Sequence, residues 1–157
     1  MTNPLITPEN NGVRFGLFTG ATQVLYTIIA VFAGFFANLA PAGLNILILT
    51  AGICGAIIRI KRARDGRMPY LQGFGTGIVT AIVASVTLGF FFILLSIIKP
   101  SLLDQMSHAR DLFGEDLSSL MGFLAIILMG SLGGVIISLV AMQYFKSPDH
   151  KPVEGIE

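Results

Sequence analysis

The fold class this sequence predicts is an all-α, four-span transmembrane helical bundle, with a short amphipathic helix in the outer loop between spans three and four. Three observations predict it. Asp, Glu, Lys and Arg are missing from three windows, 15–58, 68–98 and 117–145. A charge-free apolar run of 18 or more residues reads as a membrane span. Five of the ten basic residues, Arg59, Lys61, Arg62, Arg64 and Arg67, crowd into nine positions between two of those windows. Small residues also recur at every fourth position inside the windows, the pattern of helices that approach closely in lipid.

Each span has its own start and stop. The window 15–58 would reach roughly 65 Å as one helix, about twice the hydrocarbon thickness. The run Asn38-Leu39-Ala40-Pro41-Ala42-Gly43 divides it, with Pro41 suited to the first turn of a helix. This predicts spans over 14–37 and 41–60. The third runs over 70–98 and stops at Lys99-Pro100; the fourth runs over 118–145 and ends at Lys146-Ser147-Pro148. Residues 1–13 and 146–157 are read as tails of a single integral membrane domain covering 1–157. The N-terminal segment has neither the basic start nor the cleavage site of a secretory signal, so the first span is expected to be retained.

Composition agrees and narrows the function. Hydrophobic residues make up 54% of the 157 and charged ones 12%, about half the share of a soluble domain. The formal charge of +1 gives no pull toward nucleic acid. With four spans, eight of the ten Lys and Arg share the side of the two termini, while Lys99 and Arg110 face the other. By the positive-inside rule both termini are expected in the cytoplasm, with Arg59, Lys61, Arg62, Arg64 and Arg67 as the topology determinants. On the outer side, Leu102, Met106, Ala109 and Phe113 fall on one helical face behind Pro100-Ser101, which predicts the amphipathic surface helix.

Packing signals are strongest in the third span. Gly73, Gly77, Ala81, Ser85 and Gly89 form one continuous groove. Gly16 and Gly20 mark the first span, Ala51 and Gly55 the second, and Gly130, Gly134 and Ser138 the fourth. Such grooves serve either contacts within the bundle or contacts with a second chain. Gln23, Tyr26, Asn45 and Thr76 are polar residues within the spans and need partners there or a small polar cavity.

No catalytic set emerges. His108 and His150 lie on opposite sides of the membrane, and no metal set or cofactor signature can be assembled. Gly73-Phe74-Gly75-Thr76-Gly77 lacks the Lys-Ser/Thr of a phosphate loop. The charge-free windows contain none of the ionisable groups that ion-coupled transporters use. Cys54, the single cysteine, excludes an internal disulfide framework.

The stretch IRIKRARDGRMPYLQGFGTGIVTAIVAS, then IKPSLLDQM and the closing GGVIISLVAMQYFK, resembles an uncharacterised bacterial family of four-helix membrane proteins catalogued as a domain of unknown function. The similarity covers about residues 12–146. It implies the inner membrane of a bacterium and carries over no activity and no site residues. The expectation from the sequence is a non-enzymatic accessory or scaffold subunit without cofactor, packing through its small-residue faces. Its partners would be membrane lipids and a second copy or a larger membrane complex. The alternative is a binding or permeation module around Gln23, Tyr26, Asn45 and Thr76.

Overall fold

Four long helices build the chain in a computed structural model that describes residues 7–34, 39–64, 68–98 and 119–145. They are α1 (Pro8–Phe32), α2 (Leu39–Ala63), α3 (Tyr70–Ile98) and α4 (Ser119–Phe145). All four are long and apolar enough to cross a membrane. At 29 residues, α3 is about 44 Å long and exceeds the hydrocarbon core, so its ends project into the interfaces or the helix tilts. The expected outer amphipathic helix, both histidines, Arg67 and both terminal tails beyond Thr7 and Phe145 lie outside the described residues.

The two boundaries of α1 differ most from the expectation, and each has a local cause; α2, expected over 41–60, runs from Leu39 to Ala63. α1 begins at Pro8 rather than residue 14, because Thr7-Pro8-Glu9 is a complete helix start. The Thr7 side chain accepts from the Asn10 amide at 3.2 Å, Pro8 needs no amide partner in the first turn, and Glu9 faces the positive end of the helix dipole. Polar composition had marked this stretch as tail, but polarity does not oppose a helix that projects from the bilayer. At the other end α1 stops at Phe32, not residue 37. The Ala33 amide bonds the Ile29 carbonyl at 2.9 Å, and Gly34 takes φ of 74°, a left-handed geometry that favours glycine. The chain therefore breaks at Ala33-Gly34. α2 already includes Leu39 and Ala40, with Pro41 in its first turn.

α3 is the central helix. α1 runs parallel along one side of it and α4 antiparallel along another, while α2 packs on both α1 and α3 and reaches α4. The core lies where the second half of α2 enters: Ile53, Ile57 and Ile60 are fully buried among Met68, Ala81, Ala84 and Met142. The first half of α2 is held less closely, and Leu44, Ile46 and Leu47 are exposed. In lipid this packing is stabilised by van der Waals contact, because the tails outside are as apolar as the isoleucines within.

The basic end is tied by side chains that sequence position alone marked only for topology. Lys61 Nζ donates to the Phe145 carbonyl at 3.0 Å, placing a cation at the negative end of α4. Arg64 donates to the Gln72 side chain, joining the end of α2 to the start of α3. The Arg59 guanidinium stands 5.8 Å from the Phe15 ring centroid. Arg62 points outward, and Tyr70 and Tyr144 at the same end are exposed.

Candidate functional site: a polar crossing between the first two helices

The small residues come first, since they set how close the helices stand. Along α3 and α4 the seam is regular. Gly73 faces Met142, Gly77 faces Ser138, Ala81 faces Gly134, Ser85 faces Gly130, and Gly89 faces Phe123 and Ile127. Each small residue of one helix leaves room for a larger one opposite, and the fully buried Ser138 returns its hydroxyl to the Gly134 carbonyl at 2.6 Å. A second stripe, Gly12, Gly16 and Gly20 on α1, seats Val79, Val83 and Thr87 of α3. Gly12 belongs to it but lay in the stretch read as tail. The Thr76 and Thr80 hydroxyls donate to their own helix at 2.8 Å and also approach the Pro8 and Gly12 carbonyls at 3.4 and 3.3 Å. Gly55 on α2 stands against Phe15; Ala51 is exposed.

The seam between α1 and α2 has a different chemistry. The residues α1 turns toward α2 are Asn11, Phe15, Thr19 and Gln23, spaced four apart on one face. Asn11 is buried, and its Nδ2 donates to the Ala56 carbonyl at 2.9 Å. Three turns along, Gln23 is 4% exposed and its Nε2 donates to the Asn45 carbonyl at 3.2 Å. Between them Thr19, 2% exposed, lies against Gly52, its hydroxyl oxygen occupying the space a side chain there would fill.

Three oxygens at this crossing are buried without a hydrogen-bond partner: Thr19 Oγ1, Gln23 Oε1 and Asn45 Oδ1. Thr19 stands apart from its neighbours in this respect. Thr22, Thr27, Thr50, Thr87 and Ser96 each donate to the carbonyl four residues earlier, the ordinary way a helix satisfies a hydroxyl in lipid. The Thr19 hydroxyl instead aims across at α2. An unsatisfied buried polar group costs about 1–3 kcal/mol. Three within one crossing are a concentrated cost, and no water competes for them in hydrocarbon.

The structure therefore brings together Gln23 and Asn45, two of the four residues expected to line a polar cavity, while Thr19, one turn before Gln23, stands against Gly52. Tyr26 is half-buried and follows Gln23 by one turn. Thr76 does not join them. It sits beside Pro8, fifteen residues before Gln23 along α1, or about 22 Å away along the axis. The signal that could have found Thr19 was its place four residues before Gln23 on the same face.

Among the described residues no three His, Cys, Asp or Glu side chains come together. Comparison with protein-family models, with curated proteins and with solved structures returns no match.

Proposed function

We propose that this chain is a non-enzymatic membrane protein of a bacterial inner membrane, both termini cytoplasmic, that binds a small polar molecule within the bilayer where α1 crosses α2. The observation that carries this reading is the set of three buried, unpartnered oxygens on Thr19, Gln23 and Asn45. Buried polar groups are paired in nearly all folds, and an intramembrane group left unpaired is a binding-site signal. Gln23 lies fifteen residues into α1, near mid-bilayer, so the occupant sits inside the membrane and not at its surface. The test is a thermal-stability panel on the protein in lipid nanodiscs, using polyols, small amides and monovalent salts. A solute that stabilises wild type but not Gln23→Leu supports the reading; a panel with no such solute speaks against it.

A second reading, an accessory subunit of a larger complex, keeps one supporting observation. Only 11% of the α4 apolar window is buried within the chain, against 33% for α1 and α3. The small-residue grooves that first motivated this reading are filled from inside the bundle. Native extraction followed by intact-mass determination tests it: a stoichiometric second chain supports it, and a monomer removes it.

A further inference from the structure

We propose that the lipid-facing side of α1 at Arg14 binds the phosphate of an anionic phospholipid, drawn below the plane that α3 and α4 set for the headgroups. The site is separate from the unpartnered oxygens of the α1–α2 crossing and does not depend on them. It begins with a step in the apolar belt of the bundle. Gly12 seats Val79 and Gly16 seats Val83, so Arg14 stands level with residue 81 of α3. Gly73 faces Met142 and Gly77 faces Ser138, so Val140 stands level with residue 75. On α3 and α4 the outer surface stays apolar well beyond the level of Arg14 toward the basic end, where Leu71 is 79% and Val140 65% exposed. Tyr70 and Tyr144 close that surface, as tyrosines do at a membrane interface. On α1 the outer surface turns polar earlier. Phe18 is exposed, but Arg14, one turn before it, and Asn10, one turn before that, are exposed and polar. Tyr70 lies eleven residues from the level of Arg14, about 17 Å along the bundle.

Arg14 meets lipid without a partner. It lies two positions from both Gly12 and Gly16, which face α3, and so projects from the opposite side of α1. Among the described residues it has no hydrogen bond or ion pair, and the one carboxylate, Glu9, is five positions away on a different face. Arg59 brings a second cation close by, its guanidinium 5.8 Å from the ring of Phe15, the residue after Arg14. Lys61 and Arg64 are instead spent within the bundle, on the Phe145 carbonyl and on Gln72. Cations without a counter-charge favour a headgroup that carries phosphate alone over one that brings its own ammonium. A tilt of about 20° across two helix spacings, roughly 20 Å, recovers about 7 Å of the step. The Arg14 side chain leans toward the N-terminus of α1, and so toward the headgroups, which recovers part of the rest. What remains falls to the bilayer, which thins where an apolar stretch is short. An unpaired guanidinium in hydrocarbon is costly, and a phosphate drawn down to it removes that cost.

Melting temperatures in nanodiscs of defined lipid test the site. With oleoyl chains throughout, wild type is expected to melt higher in phosphatidylglycerol than in phosphatidylcholine. Arg14→Gln is expected to lose roughly 2–4 °C of that difference, and Arg14→Lys to keep it. Arg64→Gln removes a cation already engaged within the bundle, so it is expected to melt lower in both lipids and to keep the difference. A phosphatidylglycerol effect that survives in full in Arg14→Gln would overturn the site. Inorganic phosphate added to phosphatidylcholine nanodiscs separates a free anion from a headgroup. No stabilisation is expected, and an Arg14-dependent rise with phosphate alone would overturn the lipid as occupant. Chain length tests the depth. When myristoleoyl chains replace oleoyl chains, wild type is expected to gain more than Arg14→Leu, because leucine extends the apolar face of α1. Equal gains would overturn the lowered headgroup.

Discussion

Replacing Gly16 by leucine is the sharpest perturbation of the packing described above. A first side-chain carbon at Gly16 would lie 2.6 Å from Val83 Cβ and 2.9 Å from the Thr80 carbonyl oxygen. Carbon atoms in contact stand about 3.5–4.0 Å apart, so α1 and α3 must separate by about 1 Å before the first carbon fits. Neither obstacle is a flexible chain end, since one is the branch point of a valine and the other is backbone. Overpacking typically costs about 1–3 kcal/mol, and this site belongs at the upper end. Leucine also removes nearly 1 kcal/mol of helix penalty that glycine carries, and a control must share that gain. Gly75→Leu does, because a side chain at Gly75 meets nothing within 4 Å. The expected difference between the two variants is about 2–3 kcal/mol, or roughly 4–12 °C in melting temperature. Circular dichroism at 222 nm on nanodisc samples reads it. Equal melting temperatures for the two variants would refute the claim that the α1 glycine stripe is filled by α3.

Three further outcomes follow from the same structure. Lys61→Met keeps the aliphatic stem but loses the bond to the Phe145 carbonyl, costing about 1 kcal/mol and exposing the end of α4 to faster chymotrypsin cleavage; an unchanged cleavage rate would deny the clasp. Asn11→Leu keeps the branched outline of the side chain and removes the tie to the Ala56 carbonyl, so a stability loss of about 1 kcal/mol is expected, and a variant as stable as wild type would show that the tie contributes nothing. An alkaline phosphatase fusion at the C-terminus is expected to be inactive and a fluorescent-protein fusion bright, because eight of ten basic residues share that side; the reverse pattern would invert the topology.

The legible part of the site was its residue types. Gln23 and Asn45 stood out because amides are out of place in a charge-free apolar window. Thr76 looked similar by composition, yet it spends its proton on Gln72 and sits at the far end of α1. Thr19 went unnoticed because a threonine in a helix normally satisfies itself, and only the observed geometry shows that this one does not. The start of α1 was missed for a different reason. A polar stretch before a span reads as tail on composition, whereas the capping residues Thr7, Pro8 and Glu9 had specified a helix all along.

The amino-acid order by itself determined that this chain crosses a membrane four times as helices. That outcome depends on the lengths of charge-free runs, and transfer to lipid responds to composition summed along one helix. The order also placed small residues every four positions, which fixes one face of each helix as a close-contact surface. What only the tertiary structure decided is which faces meet. The α3 groove receives α4, the α1 stripe receives α3, and the remaining polar face of α1 is left to α2. Pairing depends on the depth and rotation at which two helices match side chain to gap, and no single helix encodes its neighbour's register. The three unpartnered oxygens arise only from that match, in which Gly52 leaves room for the Thr19 hydroxyl to turn away from its own backbone.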